Sequence, residues 1–253
     1  PFKGKRSQVT CSNFKLTKVQ QAAEIINSAK RPLVLFGQGV ILSGAESQFQ
    51  NFIEKAGLPS AWTIMGLSAL DSDHYLNVGM LGMHGNYAPN KLTNECDVLI
   101  AVGMRFDDRV TGDLSRYAKQ AKVIHLEIDP AEVDKNVKAD VAVLGDAKEA
   151  LVALSQCVDH KEHKEWLQEF RKLEFEEYSE VIKEELNPSQ GELTMGEVIR
   201  SVNDHTEGKV IVVTDVGQHQ MVSCRYAKFK QSRSLITSGG LGTMGFCLPA
   251  AIG

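Results

Sequence analysis

The residues best placed to do chemistry follow the apolar run Val98–Val102, where the sequence turns abruptly charged after Gly103. A continuous apolar run is typical of a parallel strand that is buried on both faces of its sheet. Ligands bind beyond the carboxyl ends of such strands, so the segment Gly103–Arg109, with Arg105 and Arg109, lies where a site belongs. Glycine lets backbone approach a ligand closely, and arginine presents a planar fork to phosphate. The alternative is a turn of surface Asp and Arg ion pairs, which contribute little stability.

Three further segments stand at or just past the ends of apolar runs, and together with the first they predict one dinucleotide crevice. They are Gly37–Gly39, residues 80–85 with His84, and Glu127–Asp129. A carboxylate at a strand end, such as Glu127, often accepts hydrogen bonds from ribose hydroxyls. Leu42 occupies the position of the third glycine of GxGxxG, so a standard nicotinamide fingerprint is absent. For His84 the alternative is an ordinary loop histidine.

A second cluster pairs two turns, TDVGQHQ at 214–220 and the glycine-rich SGGLGTMG at 238–245. Backbone N–H groups at a helix N-terminus that follows a strand suit a phosphate group. Gln218 and His219 add side-chain donors at that point. Two such turns side by side could hold the two ends of one ligand, whereas the alternative is that the glycines only permit tight packing.

Alternating helices and strands must position these clusters. Apolar runs predict strands at 33–36, 58–64, 98–102, 122–128 and 141–144. Capping patterns predict helix starts at Thr17–Gln20 (helix 18–30), Ser43–Glu46 and Asp146–Glu149. The connection 65–90 has few regular elements, and one this long is usually functional. Strands joined by helical crossovers, without Asn-Gly hairpins, predict an α/β fold, a Rossmann-like doubly wound parallel sheet over residues 14–157.

The remaining segments are assigned from composition and periodicity. A charged stretch with Trp166, Phe170 and Leu173 at helical spacing predicts an amphipathic helix. A further capping pattern and two apolar runs follow, at Thr194–Glu197, 210–214 and 234–237. We expect a lead-in linker at 1–13, a linker helix within 158–190 and a truncated second α/β domain at 191–253. Because the sequence ends inside a helix of that second domain, we expect a fragment of a longer enzyme.

Composition excludes several classes of protein. The 253 residues are 43% hydrophobic and 24% charged with a net charge of -4, which gives no reason to expect a nucleic-acid partner. Five cysteines without a CxxC pair argue against a disulfide framework and against a zinc site. No stretch resembles a signal peptide or a membrane span, so we expect a cytoplasmic protein without a membrane partner.

Five segments resemble, in order and spacing, the catalytic subunits of the acetohydroxyacid synthase (acetolactate synthase) family of thiamine-diphosphate enzymes. They are GMLGMHGNYAPN, VGMRFDDRVTG, HLEIDPAEVDKN, TDVGQHQMV and TSGGLGTMGFCLPAAIG. The resemblance covers nearly the whole chain. Cys247, where family members commonly have glycine, is a small departure. Family members have three doubly wound domains, and this chain resembles the middle domain with the first quarter to third of the third domain.

The resemblance implies a set of cofactor-binding positions. For FAD, in a structural rather than a redox role, they are Gly37, Gly39, Thr63, Ile64, Met65, Gly66, Gly82, Met83, His84, Gly103, Met104, Arg105, Arg109, Glu127, Ile128, Asp140 and Val141. For thiamine diphosphate they are Val216, Gly217, Gln218 and His219 at the diphosphate, and Gly242 and Met244 at the aminopyrimidine. No catalytic or metal-ligating residue is expected here, because the family's Mg²⁺-binding GDG...N segment would follow Gly253 and its activating glutamate belongs to the first domain.

The resemblance also implies a reaction. The thiazolium carbanion attacks pyruvate, CO₂ is lost, and the product adds to a second 2-oxoacid, pyruvate or 2-oxobutyrate, in branched-chain amino acid biosynthesis. We expect a homodimer or tetramer of the full-length subunit, a regulatory small subunit as a partner, and no synthase activity from this chain alone. The alternatives are another thiamine-diphosphate carboligase or decarboxylase, such as glyoxylate carboligase or pyruvate oxidase, and a nucleotide-binding or structural module without catalysis.

Overall fold

Six parallel strands form the larger sheet of the computed structural model, which describes residues 14–253. Their bounds are β1 Pro32–Phe36, β2 Ser60–Trp62, β3 Asn77–Met80, β4 Val98–Val102, β5 Lys122–Glu127 and β6 Val141–Leu144. The strand order is β3-β2-β1-β4-β5-β6, so the chain winds outward from β1 and then returns to its other side. The prediction of an α/β doubly wound parallel sheet is confirmed, and the switch in winding direction lies between β1 and β4.

Continuous apolar runs produce the two central strands. All five residues of β1 and of β4 are buried. Val34 and Phe36 join one hydrophobic cluster with Ile100, whereas Leu33 and Leu35 join another on the opposite face. Because alternate residues of a strand point to opposite faces, both faces must be apolar when helices cover both. The interpretation of 98–102 as a central strand is therefore confirmed.

Six helices accompany this sheet: α1 Leu16–Ser28, α2 Gln38–Leu42, α3 Glu46–Ala56, α4 Tyr87–Leu92, α5 Asp108–Thr111 and α6 Ala147–Cys157. The cap predicted at Asp146 is confirmed, since its carboxylate accepts hydrogen bonds from the Lys148 and Glu149 N–H groups. Two other capping predictions are wrong. Helix α1 follows Lys15, which makes no side-chain cap, so Thr17 lies inside the first turn. Helix α3 follows Ala45, while Ser43 directly follows α2 and its hydroxyl donates to the Gly39 carbonyl in that helix.

The connection 65–90 contains more regular structure than its sequence predicts. Strand β3 lies inside it, and α4 begins inside it. Gly79, with φ +102°, interrupts the short strand, and Asn77 begins it. Neither residue is typical of a strand interior, which explains why the apolar pattern did not reveal β3.

An amphipathic helix leads from the six-stranded sheet to a second, two-stranded one. Helix α7 Lys164–Glu177 continues through a π-helical turn at Tyr178–Ile182 into α8 Lys183–Leu186. Its apolar residues Trp166, Phe170 and Leu173 are buried against the larger sheet's elements, as the helical spacing predicts. The Trp166 indole N–H donates to the Pro32 carbonyl at 2.8 Å, which anchors the helix at the start of β1.

The second sheet pairs β7 Val212–Thr214 with β8 Leu235–Thr237 in parallel. Its helices are α9 Met195–Thr206, α10 Gln218–Tyr226 and α11 Cys247–Ile252. The capping box predicted at Thr194 is confirmed, because the Thr194 hydroxyl accepts from the Glu197 N–H and the Glu197 carboxylate accepts from the Thr194 N–H. Strand β7 is shorter than the predicted 210–214, and β8 nearly matches its predicted range.

Candidate functional site

The loops that follow β1 and β4 form a glycine-lined floor at the carboxyl edge of the larger sheet. The Gly37 N–H donates to the Val102 carbonyl, and the Gly39 N–H donates to the Gly103 carbonyl, both at 3.0 Å. A Cβ on Gly39 would lie 2.5 Å from the Gly103 Cα, closer than any real side chain approaches backbone. Gly103 itself has φ +57°, a conformation that favours glycine. The floor is therefore built from two loops that pack backbone on backbone.

The loop after β2 adjoins this floor. The Thr63 N–H donates to the Phe36 carbonyl at 2.9 Å. A Cβ on Gly66 would collide with that same carbonyl and lie 3.0 Å from the Gly37 Cα. Between them, Ile64 and Met65 are half-buried. The segment Thr63–Gly66 therefore lies against the loop after β1.

The loop after β3 meets the charged segment after β4. The Met83 N–H donates to the Arg109 carbonyl at 2.8 Å, and the Asn90 side-chain amide fixes Gly82 through two hydrogen bonds of 2.9 Å. Met83, His84, Arg105 and Arg109 are all exposed. Asp107 caps the short helix α5 by accepting from the Arg109 N–H at 3.0 Å. The Met83 contact therefore brings the loop of His84 beside Arg109, and Arg105 lies on the same segment after β4. Arg109 also makes the exposed ion pair with Asp108, at 3.6 Å, that the alternative interpretation expects.

Glu127 ends β5 as a buried carboxylate with fixed surroundings. Its Oε1 accepts from the Ile128 and Asp129 N–H groups at 2.9 and 3.1 Å, and its Oε2 lies 3.7 Å from His125 Nε2. Burial alone would raise the pKa of Glu127, but these donors outweigh burial and lower it. His125 also donates to the Met104 carbonyl at 2.8 Å, so one buried imidazole joins the ends of β4 and β5. Glu127 is therefore an ionised acceptor beside the crevice, and Ile128 next to it is exposed.

Asp140 and Val141 do not join the other implied positions. The Asp140 carboxylate accepts from the Val123 N–H at 2.8 Å, at the start of β5 and thus at the amino edge of the sheet. At the crevice edge of β6, the Gly145 N–H instead donates to the Glu127 carbonyl at 2.9 Å, and Asp146 follows it. An Asp that precedes a parallel strand lies at the opposite edge from one that follows it. The end of the apolar run 141–144 is the signal that would have identified Gly145 and Asp146.

The second cluster is organised by Asp215, directly after β7. Its carboxylate accepts from the Val216 N–H at 2.9 Å and from the Gly245 N–H at 2.8 Å, so it joins the two turns. These backbone donors, with the Val216 N–H foremost, lower the pKa of Asp215. Beneath the turns, the Thr237 hydroxyl accepts from the Thr214 hydroxyl and the Gln220 amide at 2.8 and 2.6 Å in a buried network.

Helix α10 begins where the sequence predicts a phosphate site. Gly217, with φ +154°, precedes it, and no side chain caps its first turn. Val216 is half-buried, whereas Gln218 and His219 are exposed in that turn. Helix N-termini of this kind attract anions through their free N–H groups. On the facing turn Gly242 and Met244 are exposed, and Met244 keeps 80% of its surface accessible.

The two clusters touch each other. A Cβ on Gly239 would lie 2.5 Å from Met65 Sδ and 3.3 Å from Ile64 Cγ2. The glycine turn of the second sheet therefore packs directly on the loop after β2. The loops of the first cluster and the turns of the second are therefore in direct contact.

Two absences hold for the described part of the chain, residues 14–253. No three His, Cys, Asp or Glu side chains cluster there as metal ligands would. No helix in that range is both long and apolar enough to cross a membrane.

Comparison with known proteins assigns both parts of the chain to the same family. Residues 19–154 match the model described as thiamine pyrophosphate enzyme, central domain, and residues 215–253 match the C-terminal TPP binding domain. The chain is 42% identical over 242 residues to a probable acetolactate synthase large subunit of Methanocaldococcus jannaschii, and 40% identical over 237 residues to the acetolactate synthase large subunit of Lactococcus lactis. Each match covers 93% of this chain, but only 41% and 40% of the respective relative. The chain thus spans about two fifths of the length of these relatives.

Proposed function

Because the chain belongs to the thiamine pyrophosphate enzymes, we propose that it is the segment of an acetolactate synthase large subunit that holds FAD and the diphosphate end of thiamine diphosphate. The observation that carries this proposal is the contact of Gly239 with Ile64 and Met65, which makes one surface of two phosphate-type sites. The similarity to acetolactate synthase large subunits favours acetolactate synthase over glyoxylate carboligase and pyruvate oxidase.

For FAD, the fit rests on the glycine backbone after β1 and β4 and on the charged side chains beside it. Gly37, Gly39 and Gly103 bring the two loops into direct backbone contact, and glycine also lets the backbone approach a pyrophosphate closely. Arg105 and Arg109 would face the phosphates, and the ionised Glu127 would accept from ribose hydroxyls. The proposed site also includes Thr63–Met65, Gly82–His84, Met104 and Ile128. It takes Gly145 and Asp146 in place of Asp140 and Val141, which lie at the other edge of the sheet.

For thiamine diphosphate, the fit rests on the start of α10. The Gln218 and His219 side chains and the uncapped N–H groups behind Gly217 would hold the diphosphate, while Gly242 and Met244 would face the aminopyrimidine. Asp215 keeps the two turns together and is engaged by backbone donors, so it is not assigned as a Mg²⁺ ligand. When bound, this cofactor supplies the carbon nucleophile for condensing two 2-oxoacids with loss of CO₂. The proposal places the Mg²⁺ ligands and the activating glutamate outside this segment.

The remaining expectations follow from the relatives' description as large subunits. We propose a homodimer or tetramer of the full-length subunit, a regulatory small subunit, and pyruvate or 2-oxobutyrate as substrates, in the cytoplasm. The segment alone is proposed to be inactive as a synthase.

A flavin titration tests the FAD site. FAD fluorescence should be quenched on binding to the purified chain, and Arg105→Ala should weaken binding about tenfold or more, because a charge-assisted phosphate contact contributes about 1.5–3 kcal/mol. Arg116→Ala is the matched control, since Arg116 is an exposed arginine paired only with the nearby Asp113. Binding of NAD in preference to FAD, or equal effects of the two substitutions, would reject the site and favour a different nucleotide-binding module.

A further inference from the structure

A partly buried ion pair connects the helix of the second cluster to the linker helix. Arg225 lies in the last turn of α10, whose first turn carries Gln218 and His219. Its Nη2 donates to Glu177 Oε1 at 2.6 Å, with 22% of the Arg225 side chain and 7% of the Glu177 side chain exposed. The two residues are 48 positions apart in sequence, and they belong to helices on different sheets.

The same pair reaches the loop that carries Met83 and His84. Arg225 Nη1 donates to the Gly85 carbonyl, and the Asn86 side-chain amide donates to Glu177 Oε2, both at 3.4 Å. Asn86 in turn fixes the end of β3, because its Oδ1 accepts from the Met80 N–H at 2.9 Å and its N–H donates to the Met80 carbonyl at 2.7 Å. A side-chain network thus runs from the last turn of α10 to the loop that carries Met83 and His84.

We propose that Arg225 and Glu177 are positioning residues that hold the Met83–His84 loop against α10, so that ordering one cofactor site favours the other. The identity of the ligands rests on the proposed function, whereas the positioning of the Met83–His84 loop by Arg225 and Glu177 does not. Helix α10 is continuous over its nine residues, so we expect a shift at Arg225 to move Gln218 and His219 with it. Neither Arg225 nor Glu177 is placed in contact with a cofactor, so their effect must pass through the loop and the helix.

Physical chemistry predicts unequal effects of the two single substitutions. Arg225→Gln leaves the buried Glu177 carboxylate without its cation, and an uncompensated buried charge is strongly unfavourable. Glu177→Gln leaves the more exposed guanidinium, which water can solvate. The double substitution removes both charges and should be milder than the sum of the two.

Amide hydrogen exchange on the chain without ligand tests the positioning. Arg225→Gln should speed exchange in residues 82–86 by about tenfold or more, and Glu177→Gln should speed it less. Arg225→Lys keeps a charge for Glu177 and should restore most of the protection. Lys228→Gln is the matched control: Lys228 is three residues further on and makes an ion pair with Asp73 at 2.8 Å, away from this loop. Equal acceleration by Lys228→Gln, or none by Arg225→Gln, would overturn the proposal.

Ligand titrations test the coupling. Saturating thiamine diphosphate with Mg²⁺ should tighten FAD binding about fivefold or more in the unsubstituted chain, and FAD should tighten thiamine diphosphate binding equally. In the Arg225→Gln chain that factor should fall to about one, whereas Lys228→Gln should leave it intact. Coupling that survives Arg225→Gln, or its absence from the unsubstituted chain, would contradict the transmission between sites. If neither ligand binds the unsubstituted chain, the proposed function fails, and the exchange result still decides the positioning.

Discussion

Both clusters place glycine-rich turns after parallel strands, but they differ in how well the strands beneath them are buried. The crevice lies on β1 and β4, whose residues are all buried between helices on both faces. The second cluster lies on a two-stranded sheet, and beside it Leu241, Met244 and Ile252 each expose more than three quarters of their surface. Preorganisation depends on buried packing and fixed hydrogen bonds. The crevice should therefore have its binding geometry before the ligand arrives, whereas the second cluster should gain much of its order on binding.

The largest effect should come from filling the crevice floor. Gly39→Ala places a Cβ 2.5 Å from the Gly103 Cα. Alanine in a helix is worth roughly 0.5–1 kcal/mol over glycine, but overpacking costs about 1–3 kcal/mol, so the clash should win. We expect a net loss of about 1–2 kcal/mol in urea unfolding, together with loss of FAD binding.

Gly240→Ala is the matched control for the second cluster, because a Cβ there would meet nothing within 4 Å. It should leave stability within about 0.5 kcal/mol of the original chain. Similar losses of unfolding free energy from Gly39→Ala and Gly240→Ala would mean that the two clusters do not differ in rigidity.

A pH titration should show the next largest effect. The pKa of Glu127 is lowered in the folded chain, so its ionised form stabilises the fold above its ordinary value near 4.5. That contribution is lost as pH falls through the lower, folded-state pKa. Glu127→Gln should therefore flatten the fall in the urea midpoint between about pH 5 and pH 3. An unchanged pH profile in the Glu127 variant would show that its hydrogen bonds do not matter to stability.

A smaller effect should follow from loss of a helix cap. Thr194→Ala removes the capping box of α9 and should destabilise the second-sheet region by about 1 kcal/mol. Thr17→Ala is the control within the first region, because Thr17 lies inside α1 and caps nothing. The change for Thr17 should stay within about 0.5 kcal/mol, as for an ordinary surface substitution. Hydrogen exchange measured at increasing urea, with the amides of each region analysed separately, would show for both variants whether the two regions unfold independently.

The smallest effect should come from the exposed charges that join the two regions. Lys230 makes ion pairs with Asp71 at 2.9 Å and with Asp73 at 2.6 Å. Lys230→Gln should cost less than about 1 kcal/mol, and less still in high salt, since exposed pairs are weak and screened. Lys209→Gln, whose partner Glu207 is two residues away, provides the comparison. A loss of several kcal/mol would mean that these charges, and not apolar packing, hold the regions together.

The strands that consist of unbroken apolar runs could be predicted from the sequence. Val98–Val102 is an unbroken apolar run, so both its strand and the position of Gly103 at the strand end could be predicted. Strand β3 could not, because Asn77 and Gly79 break its pattern. A Thr followed three residues later by Gln occurs often inside helices, which is why Thr17 was wrongly assigned as a cap.

Contacts between distant residues were beyond the sequence, whereas the edge of the sheet at which a residue lies could have been predicted from it. The pairing of Arg225 with Glu177 joins two helices and leaves no local pattern. Whether an Asp lies before or after a parallel strand decides which edge of the sheet it occupies, and Asp140 was assigned without that distinction. Asp146, directly after β6, meets the criterion that the other crevice residues obey.

The FAD site in the crevice can be tested by amide hydrogen exchange with and without FAD. We expect FAD to protect residues 37–39, 103–105 and 145–146, while 140–141 exchange as before. Protection confined to other segments, protection at 140–141 in place of 145–146, or no protection at a concentration that quenches flavin fluorescence would contradict a FAD site in the glycine-lined crevice.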